Sequence, residues 1–212
     1  QPFQIPKHWK RYRALDYGLD MLAVGWYAVD ENGRSYMYRE LVQPGLIVQD
    51  AAKQILDMTM PDEHIEITFA PPDIWSRQKD TGKTMAEVFM QCGVPIVRAS
   101  NNRVQGFLQV KEALANMPDG KPGLVLFQTC ERTIGDLEDI QADERNPNDC
   151  AKEPHEITHT VDSVRYYCVS RTLRADARDA NPSEIIYEDE DAQEEYEQFM
   201  TGDTPSAGYI SY

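Results

Sequence analysis

The 212-residue chain lacks any hydrophobic run of the ~18 residues that a membrane-spanning helix requires, and no signal-peptide pattern opens it. We therefore expect no membrane association. Its four cysteines are widely spaced, with no Cys-x-x-Cys pair, which predicts a reducing, cytosolic compartment. Cys92 and Cys168 lie in helical patterns and are expected to be buried thiols. The chain begins at Gln1 rather than Met, as expected of a fragment or a processed product.

A nucleotide-binding loop is also missing. The segment "DTGKT" at 80–84 imitates such a loop. A P-loop needs a glycine five residues before Gly82, where this chain has Arg77. ATP binding is therefore excluded.

Basic residues are scarce, which at first argues against a nucleic-acid partner. The net charge is −15, but it is unevenly spread. Residues 176–212 contain eleven acidic residues and one arginine, a net charge of −10, which leaves −5 for residues 1–175. The composition predicts a folded domain at 1–175 and an acidic, disordered tail at 176–212. The alternative for the tail is a segment that folds against a basic partner or mimics DNA.

The hydrophobic pattern predicts an α/β fold. Three strand patterns joined by short turns come first, at 11–18, 21–30 and 35–42, and form an antiparallel meander. Helices and strands then alternate, with helices at 48–58, 84–93, 103–117, 133–143 and 158–173, and strands at 64–70, 94–99 and 123–128. This order predicts a central mixed sheet, antiparallel on one side and parallel on the other, flanked by helices.

Three acidic residues occupy positions that such a sheet could bring close together. Asp16 ends the first strand, and Asp73 follows a strand that runs into a double proline, so it is presented at the carboxyl lip of the sheet. Asp162 lies three residues after His159 and shares a stripe of the last helix with it. Taken singly, each is as readily a turn former or a helix-surface residue. Together they could hold two Mg²⁺ or Mn²⁺ ions ~4 Å apart, which clamp the attacking and leaving oxygens of a phosphodiester.

The whole set, in this order, resembles the ribonuclease H fold. More narrowly, the chain is similar to the nuclease domain of the large terminase subunit of tailed bacteriophages, from about Trp9 to Arg171. The resemblance is carried by "RALDYG", "GWYAVDENG", "YMYREL", "APPDIW", "RVQGFLQVKEAL", "LVLFQTC" and "DERNPNDCAKEPHEITHTVDSVRYY".

The resemblance implies a metal-dependent endodeoxyribonuclease that cuts viral double-stranded DNA, with little sequence specificity, when packaging begins and ends. Asp16, Asp73 and Asp162 match the acids that hold its two divalent cations, and His159 stands beside them as a ligand or proton shuttle. Many relatives carry the second acid directly before the proline, so Glu66 is the alternative to Asp73. Asp149 is expected to be a helix-entry cap rather than a ligand.

The same resemblance implies partners. These are double-stranded DNA, the ATPase domain of the same subunit (not contained in this chain), the portal protein and the small terminase subunit, all in the host cytoplasm. DNA phosphates are expected to meet a local basic patch near the lip, formed by Arg77, Lys79, Lys83, Arg98 and Arg103. Arg103 is the first choice among them.

Other functions fit parts of the pattern. One is another ribonuclease H-like enzyme, such as a junction resolvase or a transposase. A second is a weakly catalytic module that docks on the portal. A third possibility is a structural zinc site, because Cys130, Cys150, His155 and His159 include a His-x₃-His step, although the usual tight cysteine pair is missing.

Overall fold

Three antiparallel strands form the centre of the sheet in the computed structural model, which describes residues 1–18, 20–78 and 82–179, with side chains of the last helix described to Thr172. They are β1 (Lys10–Tyr17), β2 (Met21–Val29) and β3 (Ser35–Pro44). The turn between β2 and β3 is the predicted one. The carboxylate of Asp30 accepts hydrogen bonds from two backbone amides of that turn, each at 2.9 Å.

Parallel strands extend the sheet on both sides. Helix α1 (Val48–Asp57) leads into β4 (Ile65–Ala70), a short 3₁₀ helix (Pro72–Trp75), α2 (Met85–Gln91) and β5 (Val97–Arg98). Then follow α3 (Arg103–Leu114), β6 (Leu124–Leu126), α4 (Glu131–Asp139) and α5 (His155–Asp179). The strand order is β5-β4-β1-β2-β3-β6, with β4 parallel to β1, β5 parallel to β4 and β6 parallel to β3. The predicted mixed sheet is confirmed, but its antiparallel strands lie in the centre, with parallel strands on both sides rather than on one.

The edge strands are shorter than the sequence predicts. β5 has two residues rather than the six of 94–99, because Pro95 has no amide hydrogen to donate to a ladder. β6 has three residues rather than six. Helix α5 begins three residues earlier than expected, at His155. All four cysteines are free thiols; Cys168 is buried as expected, whereas Cys92 is only half-buried.

Alternation along β1 separates two packed layers. Leu15 and Tyr17 point to one face of the sheet, which we call the α1–α2 face because those two helices and the 3₁₀ helix cover it. Ala14 belongs to the opposite core cluster, packed by residues of α3 and α5, and we call this side the α5 face. Asp16, two residues after Ala14, is on the α5 face as well.

Residues Gln1–Leu173 form one compact unit. The predicted tail at 176–212 lies mostly outside the described residues, so its disorder and the boundary at 175 stay predictions. Among the described helices, none is both long enough and apolar enough to cross a membrane.

Candidate active site

Asp16 meets the last helix directly. Its Oδ2 lies 2.7 Å from Nδ1 of His159 on α5, and the two side chains are 16% and 6% exposed. One turn further along the helix, the hydroxyl of Ser163 donates to the backbone oxygen of Ala14 at 2.9 Å. Helix α5 is therefore hydrogen-bonded onto β1 beside the pair, and the predicted approach of Asp16 to His159 is present in the structure.

The charged form of Asp16 is disfavoured by its surroundings. Burial raises the pKa of its carboxyl group, the hydrogen bond with His159 opposes that shift, and the negative charges of Asp162 and Asp73 add to it. The hydrogen bond with Asp16 raises the pKa of His159, against the opposing effect of burial. Both shifts favour protonated forms, that of Asp16 chiefly because of its burial and that of His159 because of its hydrogen bond with Asp16. A cation bound there would favour the charged form of the Asp16 carboxylate.

Asp162, on the next turn of α5, is compensated by two arginines. Nε of Arg165 donates to its Oδ1 at 2.7 Å, and Nη1 of Arg103 donates to both oxygens at 3.2 Å. Nε of Arg103 also reaches both oxygens of Asp149, at 3.1 and 3.2 Å. Arg103 therefore bridges two carboxylates.

The expectation that Asp149 caps a helix is wrong. Helix α5 begins six residues later, at His155, whose backbone amide is instead bound by the Glu153 carboxylate at 3.1 Å. Asp149 is an anionic partner of Arg103. Its position near Asp162 makes it part of the charge balance of the site.

A glycine in α3 makes room for the buried arginine. A Cβ at Gly106 would lie 2.6 Å from Cγ and 2.9 Å from Cδ of Arg165. Arg165 is 1% exposed, and its guanidinium lies over the rings of Tyr166 and Phe107 at 4.3 and 5.7 Å. Close approach of α3 thus fixes a buried cation beside Asp162.

Asp73 is presented from the lip of the sheet. The double proline ends β4, and Asp73 lies exposed in the following 3₁₀ helix, close enough for its charge to act on Asp16. Glu66 lies between the residues of β4 that pair with Arg11 and Tyr12. Arg11 and Tyr12 lie four to five residues before Asp16 on β1. Glu66 is therefore roughly 13–16 Å from Asp16 along the strand direction, at ~3.3 Å per residue. The position of Asp73 is the better match to the predicted second acid.

The predicted phosphate-binding residues lie in two places. Arg77 and Lys83 are exposed in the loop between the 3₁₀ helix and α2, next to Asp73, whereas Lys79 lies outside the described residues. Arg98 stacks over the ring of Trp75 at 5.3 Å. Arg103 begins α3 and is engaged by the two carboxylates, so its contact with DNA stays a prediction.

Sequence analysis did not identify Asp20 and His155 as a pair. Oδ2 of Asp20, in the β1–β2 turn, lies 3.1 Å from Nε2 of His159 and 3.2 Å from Nε2 of His155. The sequence signal for this pair is the four-residue spacing of the two histidines, which the zinc hypothesis combines with Cys130 and Cys150. In the described part of the chain these histidines meet Asp20, and Cys130 is buried against the backbone oxygen of Met37.

The donor atoms of the three predicted acids fit hard divalent cations. Carboxylate oxygens are the ligands that Mg²⁺ and Mn²⁺ prefer. Asp16 is desolvated, hydrogen-bonded to an imidazole and subject to the negative charges of the two other acids. Asp162 is already balanced by Arg103 and Arg165, so an ion there would share this carboxylate with the arginines or displace Arg103.

No protein-family model matches the chain, and no curated protein matches it by sequence. Solved structures resemble it. The nuclease domain of the phage P22 large terminase superposes with a TM-score of 0.63 at 19% identity, covering 81% of this chain and 86% of that one. The large terminase nuclease domain of bacteriophage SPP1, solved with bound Mn, gives 0.53 at 17% identity, covering 77% and 86%.

A third structure agrees with these two. The large terminase nuclease of the thermophilic phage G20c has a TM-score of 0.54 at 11% identity, covering 78% of this chain and 84% of that one. The ribonuclease H-like fold of the phage large terminase nuclease domains, which the motifs predicted, is the fold of this chain.

Proposed function

We propose that the chain is a metal-dependent endonuclease that hydrolyses phosphodiester bonds of viral double-stranded DNA when genome packaging begins and ends. The observation that carries the proposal is the convergence of three acids from β1, α5 and the segment after β4. The charges of Asp73 and Asp162 both act on the desolvated Asp16. The shared fold supports the proposal, as does the Mn bound to the SPP1 domain.

Two divalent cations, Mg²⁺ or Mn²⁺, would be held by the acids. Asp16, Asp73 and Asp162 would supply their carboxylate oxygens as ligands. Such ions lower the pKa of the attacking water and stabilise the departing 3′ oxygen of the cleaved bond. The chain contributes rigidity, because Asp16 is on a central strand and Asp162 on a helix hydrogen-bonded to that strand.

His159 would position Asp16 and act as a proton shuttle. Its Nδ1 is bound to Asp16 at 2.7 Å, which fixes the ring and leaves Nε2 facing the solvent-exposed Asp20. A proton taken up at the imidazole can pass to water on that open side. The orientation of Asp16 and the proton path therefore depend on one side chain.

Basic side chains would bring the DNA to the acids. Arg77 and Lys83, between the 3₁₀ helix and α2, and Lys79, which lies outside the described residues, would contact backbone phosphates. Such contacts give affinity without sequence readout. A phosphate near Asp162 would compete with that carboxylate for Arg103, which lies 3.2 Å away. The ATPase domain of the same subunit, the portal protein and the small terminase subunit are the further partners of this proposal, in the host cytoplasm.

Cleavage of supercoiled plasmid in Mn²⁺ tests the proposal. Asp16→Asn and Asp162→Asn should each abolish nicking, a loss of at least ~10³-fold, because the ions stabilise the transition state by several kcal/mol. Asp50→Asn is the matched control, since Asp50 is exposed on α1, on the other face of the sheet. Circular dichroism verifies that each variant is folded. Nicking by either site variant at the wild-type rate would refute the metal-site assignment.

The relative rates of cleavage of different DNA substrates distinguish the proposed nuclease from a resolvase-type enzyme. Linear and supercoiled duplexes should be cut at similar rates, whereas a strong preference for four-way junctions would indicate a resolvase-type enzyme. Calorimetry with Mn²⁺ addresses the docking module. A folded protein that binds a portal protein but no Mn²⁺ would favour docking over catalysis.

A further inference from the structure

Three side chains outside the acidic triad offer donor atoms at metal-ligand spacing. Oδ2 of Asp20, Nε2 of His155 and Nε2 of His159 all lie within 4.8 Å of one another. The oxygen is 3.2 Å from the first nitrogen and 3.1 Å from the second. Ligands ~2.0 Å from a tetrahedral ion are about 3.3 Å apart. The two spacings to Asp20 therefore match those around a bound zinc ion.

We propose that Asp20, His155 and His159 form a separate site for a divalent transition-metal ion, with Zn²⁺ or Co²⁺ preferred over Mg²⁺. Two imidazoles and one carboxylate form a donor set that suits zinc and cobalt, whereas Mg²⁺ favours oxygen ligands alone. The proposal does not depend on the nuclease function, because it rests on donor atoms that the acidic triad does not include. His159 is the one residue that touches both sites.

The helix presents both histidines on one side. Residues four apart on a helix share a face, and the rings of His155 and His159 lie edge to face with centroids 4.6 Å apart. The segment 155–159 also matches the His-Glu-x-x-His pattern in which two histidines of a helix hold Zn²⁺. The first turns of α5 thus provide two ligands without any rearrangement of the backbone.

The third ligand is held in place by its turn. The backbone oxygen of Asp20 accepts from the amide of Gly45 at 3.1 Å, and the amide of Gly18 donates to Met21 at 2.9 Å. A Cβ at Gly18 would lie 2.5 Å from Oδ1 of Asp20 and 3.9 Å from Cε1 of His159. A side chain at position 18 would therefore require the Asp20 carboxylate to shift from its place against the histidines.

An outer carboxylate orients the inner histidine. Nδ1 of His159 is bound to Asp16 at 2.7 Å, which leaves Nε2 directed at Asp20. A carboxylate behind a metal-binding imidazole fixes the ring and makes it a stronger ligand. Here Asp16 is the outer carboxylate, and His159 is the oriented imidazole that faces the metal site beside Asp20.

The site is open on its outer side. The side chains of His155 and Asp20 are 63% and 56% exposed, whereas that of His159 is 6% exposed. Three protein ligands with a solvent-facing fourth position are typical of exchangeable or catalytic zinc sites rather than closed structural ones. We therefore expect an ion that exchanges with the medium and retains bound water.

Titration of the metal-free 212-residue chain with Co²⁺ tests the site, because ligand-field absorption reports nitrogen and oxygen ligands directly. His155→Gln and Asp20→Asn should each weaken Co²⁺ binding at least ~10–100-fold, as should Gly18→Ala by displacing Asp20. His64→Gln is the matched control, because His64 is an exposed histidine on the loop before β4. Added Zn²⁺ should abolish the absorption, and excess Mg²⁺ should leave it unchanged.

A double variant separates this site from the acidic triad. Asp73→Asn with Asp162→Asn should remove plasmid cleavage and retain the Co²⁺ absorption, because neither residue provides a ligand here. Absorption lost in this double variant but kept in His155→Gln would overturn the proposal. Equal Co²⁺ affinities of wild type, His155→Gln and Asp20→Asn would overturn it as well.

Discussion

The two faces of the sheet are packed in different ways. On the α1–α2 face, helix α1 buries only apolar side chains, namely Val48, Ala51, Ala52 and Ile55, and Phe89 of α2 completes the layer. On the α5 face, helix α5 buries polar residues among its apolar ones, namely Thr158, His159, Thr160, Ser163, Arg165 and Ser170. Helix α1 thus meets the sheet through apolar side chains alone, whereas α5 brings a polar network into the core. The strands themselves bury one polar pair on the α1–α2 face, where Nε of Arg13 donates to the hydroxyl of Thr68 at 3.0 Å.

The difference shows where the fold accepts a local penalty. Burying polar groups costs free energy unless they are hydrogen-bonded, and several on α5 are: Ser163 to Ala14, and Thr160 to Asp136 at 2.7 Å. The charge of Asp16 remains poorly compensated, because burial and the negative charges of Asp162 and Asp73 disfavour it and only the imidazole of His159 opposes them. A destabilised carboxylate inside a hydrogen-bonded network is typical of a functional site.

The largest expected effect comes from a substitution in the apolar core of the α1–α2 face. Phe89 is fully buried and meets the ring of Tyr17 edge to face at 5.3 Å. Phe89→Ala should lower the free energy of unfolding by about 3–5 kcal/mol, because it leaves a cavity in the core. Urea denaturation measures this loss. We expect Mn²⁺ to raise the melting temperature of the wild type, because a ligand that binds the folded state stabilises it. Phe89→Ala should show the same rise, and its disappearance would mean that the two faces are coupled.

A smaller effect of opposite sign is expected on the α5 face. Asp16→Asn keeps the shape of the side chain and removes a desolvated charge that lies near Asp73 and Asp162. In EDTA the variant should be more stable than wild type by about 1 kcal/mol, or ~2–4 °C in melting temperature. It should also lose the Mn²⁺-induced rise. A variant less stable than wild type in EDTA would contradict this account of the site.

The stability gained by Asp16→Asn should depend on pH, because folding shifts the pKa of Asp16 upward. Folding raises the pKa of Asp16, so its protonated form stabilises the folded state below the ordinary carboxyl pKa. That contribution is lost as the pH rises through the raised pKa. Asn has no such titration. The stability difference between Asp16→Asn and wild type should therefore be small below about pH 4 and widen toward neutral pH.

The sheet could be predicted from the sequence because each strand and helix leaves a local pattern. Alternation in β1 to β3, the turn at Gly33 and the prolines after β4 each act over a few residues. The lengths of β5 and β6 could not be predicted in this way. Each edge strand pairs with only part of its neighbour, β6 with Ser35, Tyr36 and Met37 of β3. How far such pairing extends depends on a strand that is distant in sequence.

The contacts around Asp16 could be predicted only in part. Its approach to His159 was predictable because the resemblance supplies an order of acids along the chain. The catalytic roles of Asp16, Asp73, Asp162 and His159 stay predictions. The partners of Asp162 were not identified, because Arg103 reaches it across 59 residues and only through the close approach of Gly106 to Arg165. Asp20 was missed for a similar reason. Its carboxylate meets His159 across 139 residues, and no local pattern records such a contact.

The smallest expected effect concerns the salt dependence of DNA binding, which tests whether DNA contacts both faces of the sheet. Arg77 and Lys83 belong to the loop that joins the 3₁₀ helix to α2, on the α1–α2 face, whereas Arg103 stands on the α5 side. If the loop contacts phosphates, Arg77→Gln and Lys83→Gln should each reduce the slope of log affinity against log salt by about 0.9. Fluorescence anisotropy with a short duplex measures the slope. Lys53→Gln is the control, because Lys53 is exposed on α1 and pairs with Asp57. Slopes equal to that of the control would place the DNA on the α5 side alone, where Arg103 and the acids lie.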